Sequence, residues 1–445
     1  MLDINFIRNN PDKVREGAKK KGMDHHIVDE FLRFDEKWRE AVSALDEARA
    51  KQNKITKEIA QGSPSTLRRG SGQAALREEC LEEAKQLKER VALLQKEERE
   101  LQEKREEALL QIPNLPFDDV PVGRDERENK ELRVVGKKRD FAREGFEPKD
   151  HLALGEGLGI LDFERGAKVA GSGFYYLKNE AALLELGLVR YALDILGKKG
   201  FEFCFTPDMA REKFYLGTGY LPRGPEAQTY MIEGTDLGLI ATAEVTLAGL
   251  HADEVLGEEE LPKMYAGYSH CFRQEAGAYG KYSKGLYRVH QFTKVEMFVY
   301  TTPEESETTH QKLLALEEEI WRGLGIPYRV LEMCAGDLGS QAARKYDLEA
   351  WMPGRAHSAG SGQGDWGEIT STSNTTDFQS RRLGIKYRRK DGLLGFAHTL
   401  NGTAIATPRA IVAILENYQK KDGSVEIPHV LRKYVGKKVI RRSRK

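Results

Sequence analysis

Two runs of residues at heptad spacing, separated by a break, place the strongest constraint on how this chain folds. The first run steps alternately by three and four residues through Trp38, Ala41, Leu45, Ala48, Gln52, Ile55 and Ile59. The second run keeps the same steps through Cys80, Ala84, Leu87, Val91, Leu94, Glu98, Leu101, Arg105 and Ala108. Such steps are typical of a coiled-coil seam. Because the segment QGSPSTLRRGSGQ between the runs breaks a helix, we predict an antiparallel helical hairpin.

This hairpin is too long to be buried in a globular core. At 1.5 Å per residue, about thirty residues on each side predict an arm on the order of 45 Å long. Glu98 and Arg105 put charges on the seam, and we expect them to weaken the pairing locally. Arg68 and Arg69 at the tip could meet phosphates, although the second helix is rich in glutamate. An arm that reaches a partner, one that joins another coiled coil and a spacer all remain open.

The composition describes a globular protein without the marks of a secreted or membrane chain. The 445 residues are 40% hydrophobic and 31% charged, with 70 basic and 70 acidic residues, so a nucleic-acid partner would need local basic patches. Cys80, Cys204, Cys271 and Cys334 lack the spacing of a zinc site or a disulfide framework. The start MLDINFIRNNPDKVREG is unlike a signal peptide, and no apolar run approaches membrane-spanning length. We expect a cytoplasmic protein with reduced thiols.

The segment IPNLPFDDVPVG contains three prolines and ends the second helix, so we place a domain boundary there. This gives a helical domain at 1–112 and a larger domain at 113–445. The larger domain mixes strands, such as 237–245, with helices, such as 180–199 and 304–324. Because these do not alternate strictly, we predict an α+β domain built on an antiparallel sheet.

Residues 271–300 read as two strands whose polar side chains share one face. The first strand contributes Arg273 and Glu275, and the second contributes, at alternate positions, Arg288, His290, Phe292, Lys294 and Glu296. The alternate residues Tyr287, Val289, Val295 and Met297 are expected to pack on a core. The connecting loop, 276–284, is longer than a tight hairpin needs. The polar face therefore fits either a binding cavity or the solvated side of an ordinary hairpin.

A strand followed by a helix is predicted at 399–419, with Thr399, Asn401 and Thr403 on one face. Thr407 fits the N-cap and Pro408 the first helical position. Arg409 in the first turn opposes the helix dipole and so needs an anion. A triphosphate or a carboxylate from elsewhere in the chain would serve.

Two further segments carry polar residues at a strand end. These are ATAEV, with Thr242 and Glu244, and WGEITSTSN, with Glu368 and Ser371. Each alone fits an ordinary polar strand end as well as a ligand site. The sequence has no G-x-x-x-x-G-K-[ST] loop and no G-x-G-x-x-G that opens a helix after a strand, so a nucleotide would be held by other means.

Taken in order, these segments resemble the seryl-tRNA synthetases of the bacterial type, which are class II aminoacyl-tRNA synthetases. The resemblance rests on the N-terminal segment, the coiled-coil arm, IPNLPFDDVPVG, TAEV, FRQEAG with GLYRVHQFTKVE, and LNGTAIATPR with ILENYQ. Pro207, in FEFCFTPDM, matches the proline of the family's first motif, which implies a homodimer. The glycine-rich stretch 354–367 is longer than is usual in the family, and this makes the placement of Glu368 and Ser371 less certain.

The resemblance implies ATP, Mg²⁺ and L-serine as ligands of the larger domain. It assigns the α-phosphate and the serine carboxylate to Arg273, and the γ-phosphate to Arg409. The remaining nucleotide contacts fall to Glu275, Arg288, Val289, Phe292 and Glu368. The serine contacts fall to Thr242, Glu244, Glu296, Asn401 and Thr403. Magnesium falls to Glu368 and Ser371.

The implied activity is serine–tRNA ligation. Serine reacts with ATP to give seryl-adenylate and pyrophosphate, and the seryl group then passes to the terminal ribose of tRNA(Ser), which the arm grips. The family also admits tRNA(Sec) as an acceptor. Two alternatives are a serine-activating paralogue that acylates another acceptor, and a coiled-coil scaffold without activity.

Overall fold

The computed structural model describes residues 1–60, 72–220, 229–275, 285–356 and 363–442. It divides into two compact units. One comprises Met1–Leu2, Lys20–Gly22 and Asn114–Lys445, and the other comprises Asp3–Lys19 and Met23–Pro113.

The second unit is helical and is dominated by two long helices. Its helices are α1 (Ile4–Asn9), α2 (Pro11–Lys20), α3 (His26–Ala60) and α4 (Gly72–Gln111). Helices α3 and α4 run antiparallel, because residues nearer the end of α3 contact residues nearer the start of α4. Leu45 and Ala48 pack with Val91 and Leu94, all at heptad positions. The predicted antiparallel coiled coil is therefore confirmed, with 35 and 40 residues in its two helices.

Charged residues fasten the base of this hairpin, which the sequence did not predict. The Arg105 Nε donates to Asp35 Oδ1 at 2.7 Å, and the Arg8 Nε donates to Asp35 Oδ2 at 2.7 Å. The Trp38 Nε1 donates to Glu98 Oε1 at 2.9 Å. We expected Glu98 and Arg105 to weaken the seam; each finds a polar partner across it, and the local weakening of the pairing stays a prediction. The predicted tip arginines, Arg68 and Arg69, lie outside the described residues.

The first unit is built on an eight-stranded sheet. In chain order, the strands of the whole unit, which include those of the smaller sheets, are β1 (Lys130–Val135), β2 (Leu161–Asp162), β3 (Tyr176–Leu177), β4 (Glu202–Phe205), β5 (Met209–Arg211), β6 (Tyr230–Met231), β7 (Leu237–Leu239), β8 (Val255–Gly257), β9 (Lys263–Phe272), β10 (Gln291–Thr301), β11 (Tyr328–Glu332), β12 (Arg344–Ala356), β13 (Gln363–Asn374), β14 (Lys386–Arg388), β15 (Leu394–Phe396), β16 (His398–Ala406), β17 (Val425–Glu426) and β18 (Val439–Ile440). The large sheet has the order β1-β11-β12-β13-β16-β10-β9-β4. Its neighbours are antiparallel except for β4 and β9, which run parallel. The predicted α+β fold on an antiparallel sheet is confirmed.

Helices cover one face of the sheet. The helices of this unit are α5 (His151–Leu158), α6 (Phe163–Ala170), α7 (Glu180–Gly197), α8 (Glu212–Thr218), α9 (Glu244–Ala248), α10 (Ser306–Leu324), α11 (Phe378–Leu383), α12 (Thr407–Asn417) and α13 (Arg432–Val435). The fully buried Leu188, Trp321 and Ile411 of α7, α10 and α12 meet Met297 and Leu348 of the strands in one core. Since alternate strand residues face opposite ways, the polar neighbours of Met297 and Leu348 face the other side.

Three local predictions need correction. The strand predicted at 237–245 ends at Leu239, and the chain then turns into helix α9. The N-cap of α12 is Ala406, so Thr407 is already helical, and its hydroxyl donates to the Thr293 carbonyl at 3.1 Å. The polar face predicted for 271–300 is a strand only in part, because β9 ends at Phe272 and β10 begins at Gln291. Within the described ranges, no helix is long and apolar enough to cross a membrane.

Candidate active site

A cavity of about 320 Å³ opens on the polar face of the large sheet. It is lined by twelve of the residues that the sequence singled out: Glu244, Arg273, Glu275, Arg288, Val289, Phe292, Glu296, Glu368, Ser371, Asn401, Thr403 and Arg409. These residues come from the ends of β9 and β10, from β13 and β16, and from α9 and α12. Positions separated by as many as 165 residues in the chain therefore meet around one space.

Arg409 lies in the first turn of α12, and its Nη1 is 2.9 Å from Glu368 Oε1. The anion that its position demands is thus a carboxylate of β13 in the structure. The Arg409 guanidinium also lies over the Tyr287 ring, 4.9 Å from the centroid. Burial by itself would raise the pKa of Glu368, but Arg409 and Lys345 outweigh it and lower the pKa to about 2. Glu368 is therefore a permanent anion at neutral pH.

Glu368 and Ser371 share the cavity because of an irregularity in β13. Residues three apart on a regular strand face opposite sides of the sheet. Here Leu348 pairs with Thr370 and Glu349 pairs with Glu368, so Ile369 is an extra residue that forms a β-bulge. The bulge turns Glu368 to the same side as Ser371. A similar shift in β16, at Ala404, lets Thr403 pair with Glu296.

Arg273 and Phe292 meet at the other side of the cavity. The Arg273 guanidinium carbon lies 5.2 Å from the centroid of the Phe292 ring, a cation–π contact. The Arg273 Nε donates to the Ala241 carbonyl at 3.4 Å. Because Arg273 follows the end of β9, the chain holds it by these contacts and by a bond from its own N–H to the His290 carbonyl, at 3.0 Å.

Glu275 adopts a backbone conformation that residues with a side chain rarely adopt, with φ of 50°. Its Oε2 lies 3.3 Å from the Arg288 Nη1. A left-handed non-glycine residue at a cavity wall is typical of a functional position, because the strain must be compensated by its surroundings. The loop 276–284, which follows Glu275, lies outside the described residues.

His290 does not line the cavity, although the sequence placed it on the polar face. Its Nδ1 lies 2.9 Å from the Arg273 carbonyl oxygen and 2.8 Å from the Tyr230 hydroxyl. Its ring stacks on Phe174, with 5.2 Å between centroids. The alternation fails here because the residues before Gln291 are not in a strand. His290 instead supports the backbone of Arg273.

Buried charges crowd the inner end of the cavity. The Lys294 Nζ lies 2.5 Å from Glu296 Oε2, and the Thr403 hydroxyl donates to the same oxygen at 3.2 Å. Asn401 lines the cavity one strand away, opposite Ser373. Fixed donors and acceptors in a buried space suit a small polar ligand that carries both a charge and a hydroxyl group.

Glu244 is the second acid of this inner end. Its Oε1 accepts from Gln379 Nε2 at 2.7 Å, and its Oε2 accepts from the Tyr220 hydroxyl at 3.0 Å. Burial, and next the charge of Glu296, raise the pKa of Glu244 to about 7. Glu244 therefore changes its charge near neutral pH, and a bound cation would favour its ionised form.

Thr242 lies outside the lining of the cavity. It is 1% exposed and stands in the turn before α9. Its hydroxyl oxygen accepts a hydrogen bond from the Glu244 N–H at 3.3 Å. We predicted that TAEV is part of a strand with Thr242 and Glu244 on one face. This was wrong, because the segment turns into helix α9.

Several lining residues escaped the sequence analysis. Tyr287 was expected in the core, but it lines the cavity and its hydroxyl donates to the Glu368 carbonyl at 3.0 Å. Lys345 lines the cavity from β12, where its alternation with Asp347 would have revealed a shared face. Tyr220, which also lines the cavity, and Gln379, which does not, reach Glu244 from distant segments, and no local pattern marks them.

Comparisons with known proteins agree on one family. Residues 1–116 match the family model described as "Seryl-tRNA synthetase N-terminal domain", and residues 229–418 match "tRNA synthetase class II core domain (G, H, P, S and T)". A serine–tRNA ligase of Rubrobacter xylanophilus is 51% identical over 99% of both chains, and one of Dictyoglomus turgidum is 49% identical over 99% of both.

Solved structures give the same result. Seryl-tRNA synthetase of Pyrococcus horikoshii, complexed with ATP, is 44% identical, with a TM-score of 0.87 and full coverage of both chains. The cytoplasmic serine–tRNA ligase of Naegleria fowleri, in complex with AMP, is 34% identical, with a TM-score of 0.83, covering 100% of this chain and 99% of that one.

Proposed function

The chain belongs to the seryl-tRNA synthetase family, and from that membership we propose how its cavity binds ATP and L-serine. The activity is that of an ATP-dependent serine–tRNA ligase. Serine is first activated to seryl-adenylate, and the seryl group then passes to the terminal ribose of tRNA(Ser). The relatives of known structure carry ATP and AMP, which supports a nucleotide in this cavity.

The observation that carries the proposal is the convergence of two arginines from separate parts of the fold. Arg273 follows β9 and Arg409 begins α12, yet the positive charges of both lower the pKa of Glu368, with Arg409 the stronger. Guanidinium groups stay charged and bind phosphate oxygens with a planar pair of donors. We assign the α-phosphate and the serine carboxylate to Arg273 and the γ-phosphate to Arg409.

The base of the nucleotide would lie against Phe292. One face of that ring already meets the Arg273 guanidinium, so a base stacked there continues an aromatic and cationic stack. Glu275 and Arg288 are an ion pair at the cavity wall, and Val289 is a buried apolar neighbour. We propose that these residues hold the adenosine part of ATP.

Serine would occupy the inner end. Glu244 and Glu296 offer carboxylates to its ammonium group, and Asn401 and Thr403 offer polar groups to its hydroxyl. Thr242 would act indirectly, by fixing the turn from which Glu244 projects. Groups placed for a hydroxyl would be left unpaired by alanine, and the lack of room for a methyl would exclude threonine.

The residues around the cavity favour a reaction that needs positioning more than proton transfer. A serine carboxylate oxygen attacks the α-phosphorus, and the bond to the bridging oxygen breaks as pyrophosphate leaves with its electrons. Two anions must approach each other, so Arg273 and Arg409 would neutralise charge and align the groups. No general base is required, because the attacking carboxylate is already ionised.

The donors at Glu368 and Ser371 fit magnesium. Mg²⁺ prefers oxygen ligands and binds through one or two carboxylates together with substrate phosphates. Glu368 is ionised, and the bulge in β13 brings it to the same side as the Ser371 hydroxyl. When bound, the metal would neutralise phosphate charge.

We assign the domain at 1–112 to tRNA binding and the domain at 113–445 to catalysis. The exposed Lys51 and Lys54 of α3 support contact with the tRNA backbone. tRNA(Sec) is a second acceptor to be tested. We place the enzyme in the cytoplasm, where tRNA charging serves translation.

An exposed apolar patch supports a homodimer. Phe205 at the end of β4 is 84% exposed, and Phe203 and Leu186 are 50% and 64% exposed. Strand β4 is an edge of the large sheet, and an exposed apolar edge is typical of an interface. Pro207 follows Phe205 after one intervening residue. We propose that a second copy of the chain covers it.

Pyrophosphate exchange measured with each of the twenty amino acids tests the activation step. We expect label from pyrophosphate to enter ATP with serine, and with the other nineteen amino acids at background rates. Aminoacylation of tRNA(Ser) transcripts then tests the transfer step. Activation of serine without charging of any tRNA would favour the paralogue with another acceptor, and no activation at all would favour a scaffold.

A further inference from the structure

A lysine of β12 lines the cavity and has no part in the contacts proposed above. Lys345 pairs in register with Ser373 of β13, which in turn pairs with Asn401 of β16. All three line the cavity, so they form one row across three strands. Lys345 is therefore a side chain of the site rather than of the surrounding surface.

Carboxylates surround this lysine, but its closest ion pair is loose. The Lys345 Nζ lies 3.4 Å from Asp347 Oδ1, against 2.9 Å between Arg409 and Glu368. That Asp347 oxygen is buried and makes no hydrogen bond within the described residues. The charges of Glu368 and Asp337 also act on Lys345. Its side chain remains 23% exposed, so an incoming anion can reach it.

Lys345 also lies close to the place assigned to the terminal phosphates. After Arg409, it is the second strongest positive charge that acts on Glu368. Arg409 of α12 and Lys345 of β12 therefore act on the same carboxylate, that of Glu368. An anion that binds the Arg409 guanidinium is therefore also attracted by the charge of the Lys345 ammonium group.

We propose that Lys345 is a pyrophosphate-binding residue, which contacts the two terminal phosphates of ATP and the pyrophosphate product. The inference rests on the proposed function of the cavity. Phosphate oxygens would replace the loose contact with Asp347, since a charge-assisted hydrogen bond to phosphate is shorter and stronger. Lys345 contributes no proton and forms no covalent bond. It takes part in binding before the reaction and in holding the leaving group after it.

The test compares Lys345→Met with wild-type enzyme in serine-dependent pyrophosphate exchange. We expect the KM for pyrophosphate to rise about tenfold, as for the loss of one charge-assisted contact. The KM for serine should change less than about twofold, because the serine contacts lie on other strands. Lys345→Arg should restore most of the affinity for pyrophosphate, since it keeps the charge.

Lys263→Met is a matched control. Lys263 is equally accessible, at 24%, and pairs with Glu260 at 3.0 Å, but it does not line the cavity. Its replacement should leave both KM values unchanged. If Lys345→Met folds poorly, Asp347→Asn serves instead, because it frees Lys345 from its partner and should lower the KM for pyrophosphate.

The outcomes separate the inference from the function on which it rests. Absence of serine-dependent exchange in wild-type enzyme would contradict the proposed function itself. Exchange in wild-type enzyme with an unchanged KM for pyrophosphate in Lys345→Met would overturn only the role of Lys345. An equal rise in the KM values for serine and pyrophosphate would also overturn it, because a merely structural lysine would act on both.

Discussion

Arg409 and Glu368 form an ion pair of 2.9 Å between α12 and β13, so the residue proposed for the γ-phosphate and the residue proposed for magnesium neutralise each other in the free protein. ATP and Mg²⁺ would therefore have to enter together, since each would take one partner of the pair. Until then, the ion pair compensates the charges of a half-buried arginine and a half-exposed carboxylate.

Replacement of Arg409 tests this relationship. Arg409→Ala should lower kcat/KM for ATP by a factor that corresponds to a loss of about 3 kcal/mol of transition-state stabilisation, comparable to the loss of one preorganised donor to a developing charge. It should also weaken retention of magnesium less than it weakens ATP, because Glu368 remains in place. Arg409→Lys keeps the positive charge but not the planar pair of donors, so its kcat/KM for ATP should lie between those of the wild-type enzyme and Arg409→Ala. Unchanged ATP kinetics in Arg409→Ala would remove Arg409 from the site.

The helical arm and the sheet class could be predicted from the sequence because their signals are local. The steps of three and four that run from Trp38 fix which side chains face the partner helix, whatever the rest of the chain does. The alternation in β10 likewise separates Glu296 from Met297. What failed was the extension of alternation beyond strand ends, as at His290 and Thr242.

The geometry of the cavity could not be read from one segment at a time. Glu368 and Ser371 face the same side only because Ile369 bulges, and a bulge depends on the register with β12. Tyr220 and Gln379 reach Glu244 through tertiary folding alone. The family resemblance nevertheless named Glu368, Ser371 and Glu244 as candidates, because a family motif identifies positions in the sequence without the register or the tertiary contacts that bring them together.

Glu244 should make stability depend on pH. Burial raises its pKa from 4.5 to about 7, so the folded chain holds a proton that the unfolded chain has released. The free energy of unfolding should therefore fall as pH rises from about 4.5 to 7, by about 3 kcal/mol in total, and level off above. Glu244→Gln should remove this slope and raise Tm at pH 8, while it weakens serine binding.

Thermal scans between pH 5 and 8, with Glu202→Gln as an exposed control, measure the effect. A slope of Tm against pH that is the same in Glu244→Gln and in wild-type protein would show that another group is responsible. The KM for serine in wild-type enzyme should fall as pH rises over the same range, because the ionised carboxylate of Glu244 pairs with the ammonium group of serine.

Thr403→Val separates serine recognition from nucleotide binding. The substitution removes the hydroxyl that donates to Glu296 and leaves a similar volume. The KM for serine should rise by about tenfold, as expected when a polar contact to a hydroxyl is lost in a buried site. The KM for ATP, measured in the same exchange assay, should move little. Equal changes in both would count against Thr403 as a reader of the serine hydroxyl.

Phe205→Glu tests the proposed homodimer. A carboxylate on the most exposed residue of the patch would have to be buried without a partner, which is costly in an interface. We expect a monomer by light scattering at micromolar concentration, under conditions where the proposal requires the wild-type protein to be a dimer. Leu393→Glu, at another exposed apolar position of 62%, should leave the dimer intact. A dimer in both variants would place the interface elsewhere.

Shortening the arm tests its role in tRNA binding. Replacement of residues 49–90 by a short glycine linker removes the outer part of the coiled coil but keeps the contacts of Asp35 with Arg105 and of Trp38 with Glu98 at its base. Because the cavity lies within the other unit, serine-dependent pyrophosphate exchange should continue at the wild-type rate. Aminoacylation of tRNA(Ser) should be lost, since the backbone contacts that orient the tRNA are gone. The substitution of Lys51 and Lys54 by glutamine in the full-length chain should have a smaller effect, which weakens as salt rises. Normal charging by the shortened enzyme would mean that the catalytic domain holds the tRNA alone, and loss of exchange would mean that the arm also supports catalysis.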